Sequence, residues 1–213
     1  MTAHATATHP DAKFWDRIAD KYARSKISDE VAYQKKLDMT RALFTPETTA
    51  LELGCGTGST AITHAPFVKR MVATDLSGRM IDIAKRKDGA DQVEFQQASF
   101  EDIVADGAEH DVVLALSLIH LLPDPQDAIH KIWSMVKPGG AFVSSTACLR
   151  DMNPLIRLIL PVGRALGLFP KVQVFTGDHL VEMMQNAGFT IERDWRPGKA
   201  KAVFVIARKP LTA

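Results

Sequence analysis

The sequence has few cysteines, no long apolar run and no cluster of metal-binding side chains. Its two cysteines, Cys55 and Cys148, match neither a disulfide framework nor the spacing of a metal site, which indicates a reducing compartment. No apolar run reaches the roughly 18 residues of a membrane-spanning helix, and residues 1–10 lack the apolar core of a secretory signal. We therefore expect a cytoplasmic protein with no metal ion and no transmembrane segment.

An excess of charge of one sign is also missing. The 26 Lys and Arg residues nearly balance the 25 Asp and Glu residues, which gives a net charge of +1. Proteins that bind nucleic acid usually concentrate basic charge on one face. The dense basic run Lys85-Arg86-Lys87 ends an amphipathic helical pattern, where positive charge is favourable at the helix C-terminus. We therefore expect no nucleic-acid partner.

What the sequence does contain is typical of one globular domain. Hydrophobic residues make up 46% of the chain and charged residues 24%, and a chain of this length can bury a full core. We predict a single domain over residues 1–213 that begins with a helical cap at 10–45. Within this cap, Phe14, Ile18 and Tyr22 recur every four residues and so share one helix face.

A glycine-rich turn follows the first predicted strand. Residues 50–53 form an apolar strand end, Gly54, Gly56 and Gly58 then alternate, and a helix-compatible run opens at Ser59. Such a turn brings bare backbone and helix N-terminal amides close to a ligand. A dinucleotide-binding fingerprint would need Gly or Ala at position 59, and a phosphate-binding P-loop would end in Gly-Lys-Ser/Thr. Neither pattern is present.

Strands and helices alternate through the rest of the chain. This alternation predicts a parallel sheet with helices on both faces. Beyond the first strand, we predict strands at 71–74, 93–98, 111–116, 141–147, 190–195 and 201–208, with helices at 28–43, from Ser77, at 125–136 and at 177–187. The last two strands are joined by the turn residues Pro197-Gly198.

Four motifs occur in a familiar order. They are Glu52-Leu53-Gly54-Cys55-Gly56-Thr57-Gly58, Asp75-Leu76-Ser77, Asp111-Val112-Val113 and Lys137-Pro138-Gly139-Gly140, the last before the predicted fifth strand. From about Asp11 to Arg208 the chain resembles the class I S-adenosylmethionine (SAM)-dependent methyltransferases. The resemblance implies an α/β, Rossmann-like, doubly wound sheet of seven strands, mostly parallel with an antiparallel C-terminal strand. It also implies SAM as the cofactor.

The resemblance assigns most cofactor-binding candidates to the ends of the first three strands. Asp75 lies 21 residues after Gly54, where a doubly wound fold places a carboxylate beside the ribose, although Asp is also common as a turn cap. Glu52 would organise the loop or meet the ligand's amino group. Ser99 replaces an acidic residue that often bonds the adenine amino group in this family, and Phe100 would stack on the adenine or pack in the core.

Residues 115–124 form the end of the fourth strand and the turn after it, and they should also belong to the site, because ligands bind outside the carboxyl ends of such strands. These residues resemble those of the small-molecule branch of the family, such as quinone or lipid methyltransferases. They lack the Asn/Asp-Pro-Pro-Tyr motif of amino-methylating nucleic-acid enzymes. The complete set of cofactor-binding candidates is Glu52, Gly54, Cys55, Gly56, Gly58, Asp75, Leu76, Met80, Ser99, Phe100 and Ser117.

Two residues are candidates for a catalytic role. His120 follows the fourth strand, and an imidazole that titrates near neutrality could take a proton from a hydroxyl or amine acceptor. It lies among leucines and isoleucine, so it could also line the pocket or serve the structure alone. Tyr22, on the N-terminal helix that should close over the site, is the competing candidate. The expected reaction is in-line methyl transfer from SAM to a small, apolar or amphipathic acceptor.

Two other functions and three roles for one segment stay open. Ser59 disfavours a NAD-dependent oxidoreductase, and a non-catalytic, SAM-binding regulatory protein is the second alternative. Residues 153–170 are rich in Leu and Ile but are interrupted by Pro161 and glycines. We expect a lid over the acceptor pocket, with a dimer contact or a peripheral membrane contact as alternatives. The oligomeric state would be a monomer or a homodimer.

Overall fold

The computed structural model describes residues 11–151, 170–198 and 202–211. The predicted lid at 153–170 therefore lies almost entirely outside the described residues. The described helices are α1 (Ala12–Arg24), α2 (Glu30–Arg41), α3 (Ser59–His64), α4 (Gly78–Ala84), α5 (Phe100–Asp106), α6 (Pro125–Met135) and α7 (Gly177–Asn186). The described strands are β1 (Thr49–Leu53), β2 (Arg70–Asp75), β3 (Glu94–Gln97), β4 (His110–Leu116), β5 (Val136–Thr146), β6 (Thr190–Trp195) and β7 (Val203–Arg208).

The seven strands form one mixed sheet in the order β3-β2-β1-β4-β5-β7-β6. Strands β1 to β5 pair in parallel, whereas β7 lies antiparallel between β5 and β6. The predicted seven-stranded, doubly wound sheet with an antiparallel C-terminal strand is confirmed. The strand order reverses between β1 and β4, which is where an open α/β sheet forms its ligand crevice.

The central strands of the sheet are buried on both faces, because helices cover each side. In β1, Leu51 and Leu53 point into the core beneath α6 and α7, whereas Ala50 points into the core beneath α3 and α4. Residues 50–53 of this strand are all buried, the pattern expected of a central parallel strand. The core therefore holds the C-terminal end of β1, and the glycine turn after it, in a fixed position.

Strand β5 begins five residues before the predicted start at 141. Val136 already pairs with His110, and the register then shifts before Val112 pairs with Ala141. The prediction placed the Lys-Pro-Gly-Gly motif at 137–140 before the strand, but the strand includes these residues as an irregularity.

Asp111 and Lys137, both parts of the recognised motifs, lie at the opposite end of the sheet from the crevice. The carboxylate of Asp111 accepts hydrogen bonds from the amide and hydroxyl of Thr49, at 2.7 and 2.6 Å, and from Nζ of Lys137 at 3.0 Å. These contacts tie β1, β4 and β5 together at their N-terminal ends. In this part of the chain, Asp111 and Lys137 stabilise the sheet and do not reach the crevice.

The N-terminal helices pack on the C-terminal side of the sheet. Asp16 of α1 accepts hydrogen bonds from the hydroxyl of Ser77 and the amide of Arg79, and Asp20 pairs with the guanidinium of Arg79 at 2.9 Å. Both contacts lie at the N-terminus of α4, where negative charge is favourable. None of the helices that the structure describes is long and apolar enough to cross a bilayer.

Candidate functional site

The glycine turn between β1 and α3 is held in one conformation from both sides. Gly54, Gly56 and Gly58 all have positive φ angles, of 66°, 55° and 74°. A Cβ atom on Gly58 would lie 2.6 Å from the ring of Phe95, so only glycine fits there. The amide of Cys55 donates to the carbonyl of Thr74 at 2.9 Å, which fixes the turn to β2. Backbone is thereby exposed to the crevice at Gly54 and Gly56.

A cavity of about 350 Å³ lies at the C-terminal ends of β1, β2 and β4 and is closed on one side by α1. This volume is within the range of small-molecule sites, roughly 300–1,000 Å³. The structure places most of the predicted site residues together in its wall, namely Tyr22, Gly54, Gly56, Asp75, Leu76, Met80, Ser99, Phe100, Ser117 and His120. Glu52, at the end of β1, and Cys55 and Gly58, in the glycine turn itself, do not line this cavity.

Asp75 connects the glycine turn after β1 with the segment between β2 and α4. One carboxylate oxygen accepts the amide of Gly56 at 2.8 Å, and the other accepts the amide of Ser77 at 2.9 Å. Burial raises the pKa of Asp75, and the two amide hydrogen bonds oppose this effect. A carboxylate oxygen has two lone pairs, so each oxygen keeps one acceptor position for a ligand. The turn-cap role and the ligand role are therefore compatible at this residue.

Glu52 is almost completely buried, with 3% of its surface exposed. Burial raises the pKa of its carboxyl to about 8, and the nearby negative charge of Asp75 acts in the same direction. One of its oxygens, Oε2, is buried and has no hydrogen-bond partner among the described residues. The buried position of Glu52 therefore disfavours its charged form, and its side chain does not line the cavity that Asp75 lines.

Lys87 is a loop contact that the sequence did not reveal. Its Nζ donates to the hydroxyl of Thr57 at 3.1 Å and to that of Ser59 at 2.7 Å. From the sequence, the basic run that contains Lys87 predicts only a favourable charge at a helix C-terminus. Burial lowers the pKa of this ammonium group, and Cys55 opposes that shift. Lys87 thus joins the end of α4 to the second half of the glycine turn.

Ser99 and Phe100 each have a structural role that the prediction did not separate from binding. The hydroxyl of Ser99 accepts the amide of Asp102 at 3.2 Å, and the side chain of Asp102 accepts the amide of Ser99 at 3.0 Å. This reciprocal pair is a capping box at the start of α5. Phe100 lines the cavity and also packs against the buried core. Ser99 therefore lines the cavity, while its hydroxyl serves as the N-cap of α5.

The turn after β4 brings Ser117 and His120 to the cavity. Ser117 has a φ angle of 62°, the one positive φ at a non-glycine residue in the described part of the chain. Its amide donates to the carbonyl of Ser145 at 2.7 Å, which holds this unfavourable backbone conformation. Backbone strain of this kind costs about 1–3 kcal/mol and often occurs at functional sites.

His120 lies in a short 3-10 turn, and its carbonyl accepts the amide of Gln173 at 2.7 Å. Burial lowers the pKa of its imidazole to about 4. Nδ1 is buried and meets no hydrogen-bond partner in the ranges that the structure describes. The apolar turn thus disfavours the charged form of this imidazole, and a catalytic role for His120 stays a prediction.

The cap contributes aromatic side chains to the cavity. Tyr22 is 49% exposed and lies over Gly56. Burial within the site raises the pKa of its hydroxyl, and Asp75 and Glu52 add to the shift, so this phenol stays protonated at neutral pH. Trp15, about two helical turns before Tyr22, also lines the cavity. The prediction missed Trp15, although its spacing of seven from Tyr22 places both on one helix face.

No group of three or more His, Cys, Asp or Glu side chains among residues 11–151, 170–198 and 202–211 could hold a metal ion. The cavity instead combines exposed backbone at the glycine turn, the three acidic side chains of Asp11, Asp75 and Glu101, and a largely apolar wall. Such a site can bind a ligand with one polar part, at the ends of β1 and β2, and a second apolar ligand at the end of β4.

Comparisons with known proteins identify relatives of the whole arrangement. A family model described as a methyltransferase domain matches residues 16–193. The chain is 26% identical over 182 residues to malonyl-[acyl-carrier protein] O-methyltransferase of Priestia megaterium, covering 83% of this chain and 64% of that protein. It is 29% identical over 143 residues to tRNA 5-carboxymethoxyuridine methyltransferase of Escherichia coli, covering 59% of this chain and 53% of that protein. The chain thus spans between half and two thirds of the length of these curated relatives.

A solved structure shows the same fold. The DhpI–SAH complex superposes with a TM-score of 0.72 at 24% sequence identity, covering 94% of this chain and 95% of that one. The relatives act on different substrates, as their names state, and one of those substrates is a tRNA. The expected absence of a nucleic-acid partner therefore stays a prediction.

Proposed function

Since the chain belongs to the family of methyltransferase domains and uses SAM as its methyl donor, we propose that it methylates a small, apolar or amphipathic acceptor. The family match also decides against the NAD-dependent oxidoreductase, in agreement with Ser59 in place of the third fingerprint residue. The observation that carries the proposal is the apolar wall of the cavity at the end of β4, beside Ser117 and His120.

The residues present fit the cofactor. Gly54 and Gly56 present bare backbone to the cavity, and Asp75 has acceptor positions for the two ribose hydroxyls. Leu76, Met80 and Phe100 offer an apolar slot for the adenine ring. When bound, SAM supplies an activated methyl group on a sulfonium, so the protein itself needs no nucleophile and no metal ion.

The chain's own contribution would then be alignment and the exclusion of water. Holding the acceptor atom in line with the methyl group makes the reaction effectively unimolecular. The rigid turn at Ser117 would fix the acceptor side, and the cap residues Trp15 and Tyr22 would cover the cofactor side. His120 would line the acceptor pocket as a neutral imidazole. A hydroxyl or amine acceptor can release its proton to water after transfer.

The substrate class is tested with SAM labelled in its methyl group. The protein is incubated with a cell extract separated into small molecules, protein and RNA, and the variant Asp75→Ala serves as the inactive control. We expect label in the small-molecule fraction, extractable into organic solvent. Label that ribonuclease releases would overturn the proposal in favour of RNA, and SAM binding without label in any fraction would indicate a non-catalytic regulatory protein.

A further inference from the structure

The end of α1 and its connection to α2 form an exposed surface of mixed character. Among the described residues, six large apolar side chains are exposed, and three of these, Tyr22, Ile27 and Val31, lie on this surface. Ile27 is 47% exposed and Val31 is 82% exposed. Basic side chains that are also exposed alternate with them. The cap patch consists of Lys21, Tyr22, Arg24, Lys26, Ile27 and Val31.

Positive charge is concentrated beside this patch. Asp29 and Glu30 lie between Ile27 and Val31, and Asp29 accepts the amide of Ala32 as the N-cap of α2. Residues 13–26 contain five basic and two acidic side chains, whereas the rest of the chain contains 21 basic and 23 acidic ones. The two acidic side chains are Asp16 and Asp20, and both bind the N-terminus of α4 through Ser77 or Arg79. Asp16 and Asp20 are therefore both paired with groups of α4, whereas Lys13, Arg17, Lys21 and Arg24 of α1 are exposed.

The cap patch also borders the mouth of the cavity. Tyr22 belongs to both, because it lines the cavity and is half exposed. Lys21 and Arg24 lie in the same helical turn, and the connection that carries Ile27 follows directly. A surface that met the cap patch would therefore lie next to the site where the acceptor enters.

We propose that the cap patch docks on an anionic lipid bilayer. Each Lys or Arg near an anionic membrane strengthens binding by roughly fivefold, and exposed aliphatic side chains can enter the boundary between headgroups and acyl chains. Ile27 and Val31 favour a bilayer over RNA, because a phosphate backbone offers nothing to aliphatic side chains. Delivery of a membrane-dissolved acceptor into the cavity rests on the proposed function, whereas the docking itself does not.

The test is cosedimentation of the full chain with vesicles of phosphatidylcholine alone and of phosphatidylcholine with phosphatidylglycerol. We expect binding only to the anionic vesicles, weakened by salt. The triple variant Lys21→Gln, Arg24→Gln, Lys26→Gln should weaken it about a hundredfold, and Ile27→Ser with Val31→Ser at least severalfold. A matched variant with Lys69, Lys85 and Arg193 changed to Gln removes three exposed cations elsewhere and should bind within about twofold of the parent.

Three results would overturn the proposal. One is an absence of binding to anionic vesicles, and another is vesicle binding that neither cap-patch variant weakens. The third is tight binding to an RNA hairpin that the charge variant abolishes and the Ile27–Val31 variant leaves unchanged. Calorimetric SAM binding is measured on every variant, because the cap-patch substitutions should leave it intact. If the parent chain does not bind SAM, that result would count against the proposed function and not against the docking.

Discussion

Asp75 has to serve the loop and the ligand with the same carboxylate. It already accepts the amides of Gly56 and Ser77, and the proposed ribose contacts would use its remaining lone pairs. Hydrogen bonds to a charged group are worth about 1.5–3 kcal/mol each. We therefore expect Asp75→Ala to weaken SAM binding more than a hundredfold while the fold is retained, as measured by titration calorimetry and circular dichroism. An unchanged dissociation constant would remove the ribose assignment.

The control for this experiment separates position from charge. Asp82 is an exposed residue of α4 and does not line the cavity. The variant Asp82→Ala therefore removes a nearby negative charge without changing the cavity wall. We expect this variant to bind SAM as the parent does. The variant Asp75→Asn keeps one acceptor oxygen and should fall between the parent and Asp75→Ala.

His120 is expected to be neutral throughout the physiological pH range. Burial lowers its pKa to about 4, and such a weakly basic imidazole provides little driving force for proton transfer. We expect His120→Gln to retain SAM affinity, to lower kcat less than about tenfold, and to leave the pH–rate profile between pH 5.5 and 8 unchanged. A loss of about 10²–10⁴-fold would instead establish His120 as a general base.

Glu52 should make the stability of the chain fall as pH rises. Its pKa is about 8 in the folded state, against an ordinary value of 4.5. Between these values the folded chain holds a proton that the unfolded chain has lost. The free energy of unfolding therefore decreases with pH, by up to about 1.4 kcal/mol per pH unit. This contribution is fully present below pH 4.5 and is lost as pH rises to 8.

The variant Glu52→Gln keeps the shape of the side chain and removes its titration. We expect its melting temperature to exceed that of the parent by a margin that grows between pH 5 and pH 8, measured by differential scanning fluorimetry. Glu47→Gln is the matched control, because Glu47 is exposed and binds Lys69 at the surface. Parallel pH dependences of Glu52→Gln and the parent would contradict the raised pKa.

At the scale of elements, Lys87 connects α4 to the glycine turn through two hydroxyl groups. Without these contacts the turn keeps its glycine geometry but loses one anchor. We expect Lys87→Met to raise the dissociation constant for SAM by about three- to tenfold, since a single hydrogen bond contributes about 0.5–1.5 kcal/mol, and Lys87→Arg to restore most of the affinity. Lys85→Met, two residues earlier and exposed, is the control. Equal effects of both methionine variants would exclude a specific anchor.

Most elements could be predicted because their signals are local. The glycine spacing, the Ser77 cap and the apolar periodicity of α6 depend on neighbours within one or two turns of chain. The start of β5 could not, because the extra strand residues at 136–140 are recruited by pairing with β4, far away in sequence. The same reason applies to Asp111, whose partners Thr49 and Lys137 become neighbours only in the sheet.

The candidate site divides in the same way. Residues of the strand ends, such as Asp75 and Ser117, were predictable because all strand ends of a parallel sheet meet at one edge. Lys87 gave no signal, since its contacts with the turn depend on how α4 packs. The pKa of His120 also depends on packing, because desolvation is set by what surrounds the imidazole in three dimensions.

Across the whole molecule, the cap and the sheet form one binding site only when α1 is attached to α4. Trp15 and Tyr22 close the cavity from a helix that precedes the sheet in sequence. The attachment has two parts of different strength. Asp16 is part-buried and binds both the hydroxyl of Ser77 and the amide of Arg79, whereas Asp20 forms an exposed ion pair with Arg79. Exposed pairs contribute about 0–1 kcal/mol.

These two aspartates therefore give a matched test of the cap. Asp16→Ala leaves the Ser77 hydroxyl and the amide of Arg79 without their acceptor, and each such loss costs about 1–3 kcal/mol. We expect Asp16→Ala to weaken SAM binding about tenfold or more and to speed hydrogen exchange throughout α1, because the helix opens more often. Asp20→Ala should change both quantities less than about threefold. If Asp16→Ala speeds exchange in α1 without weakening SAM binding, the cap is attached through Asp16 but does not close the cofactor side of the cavity.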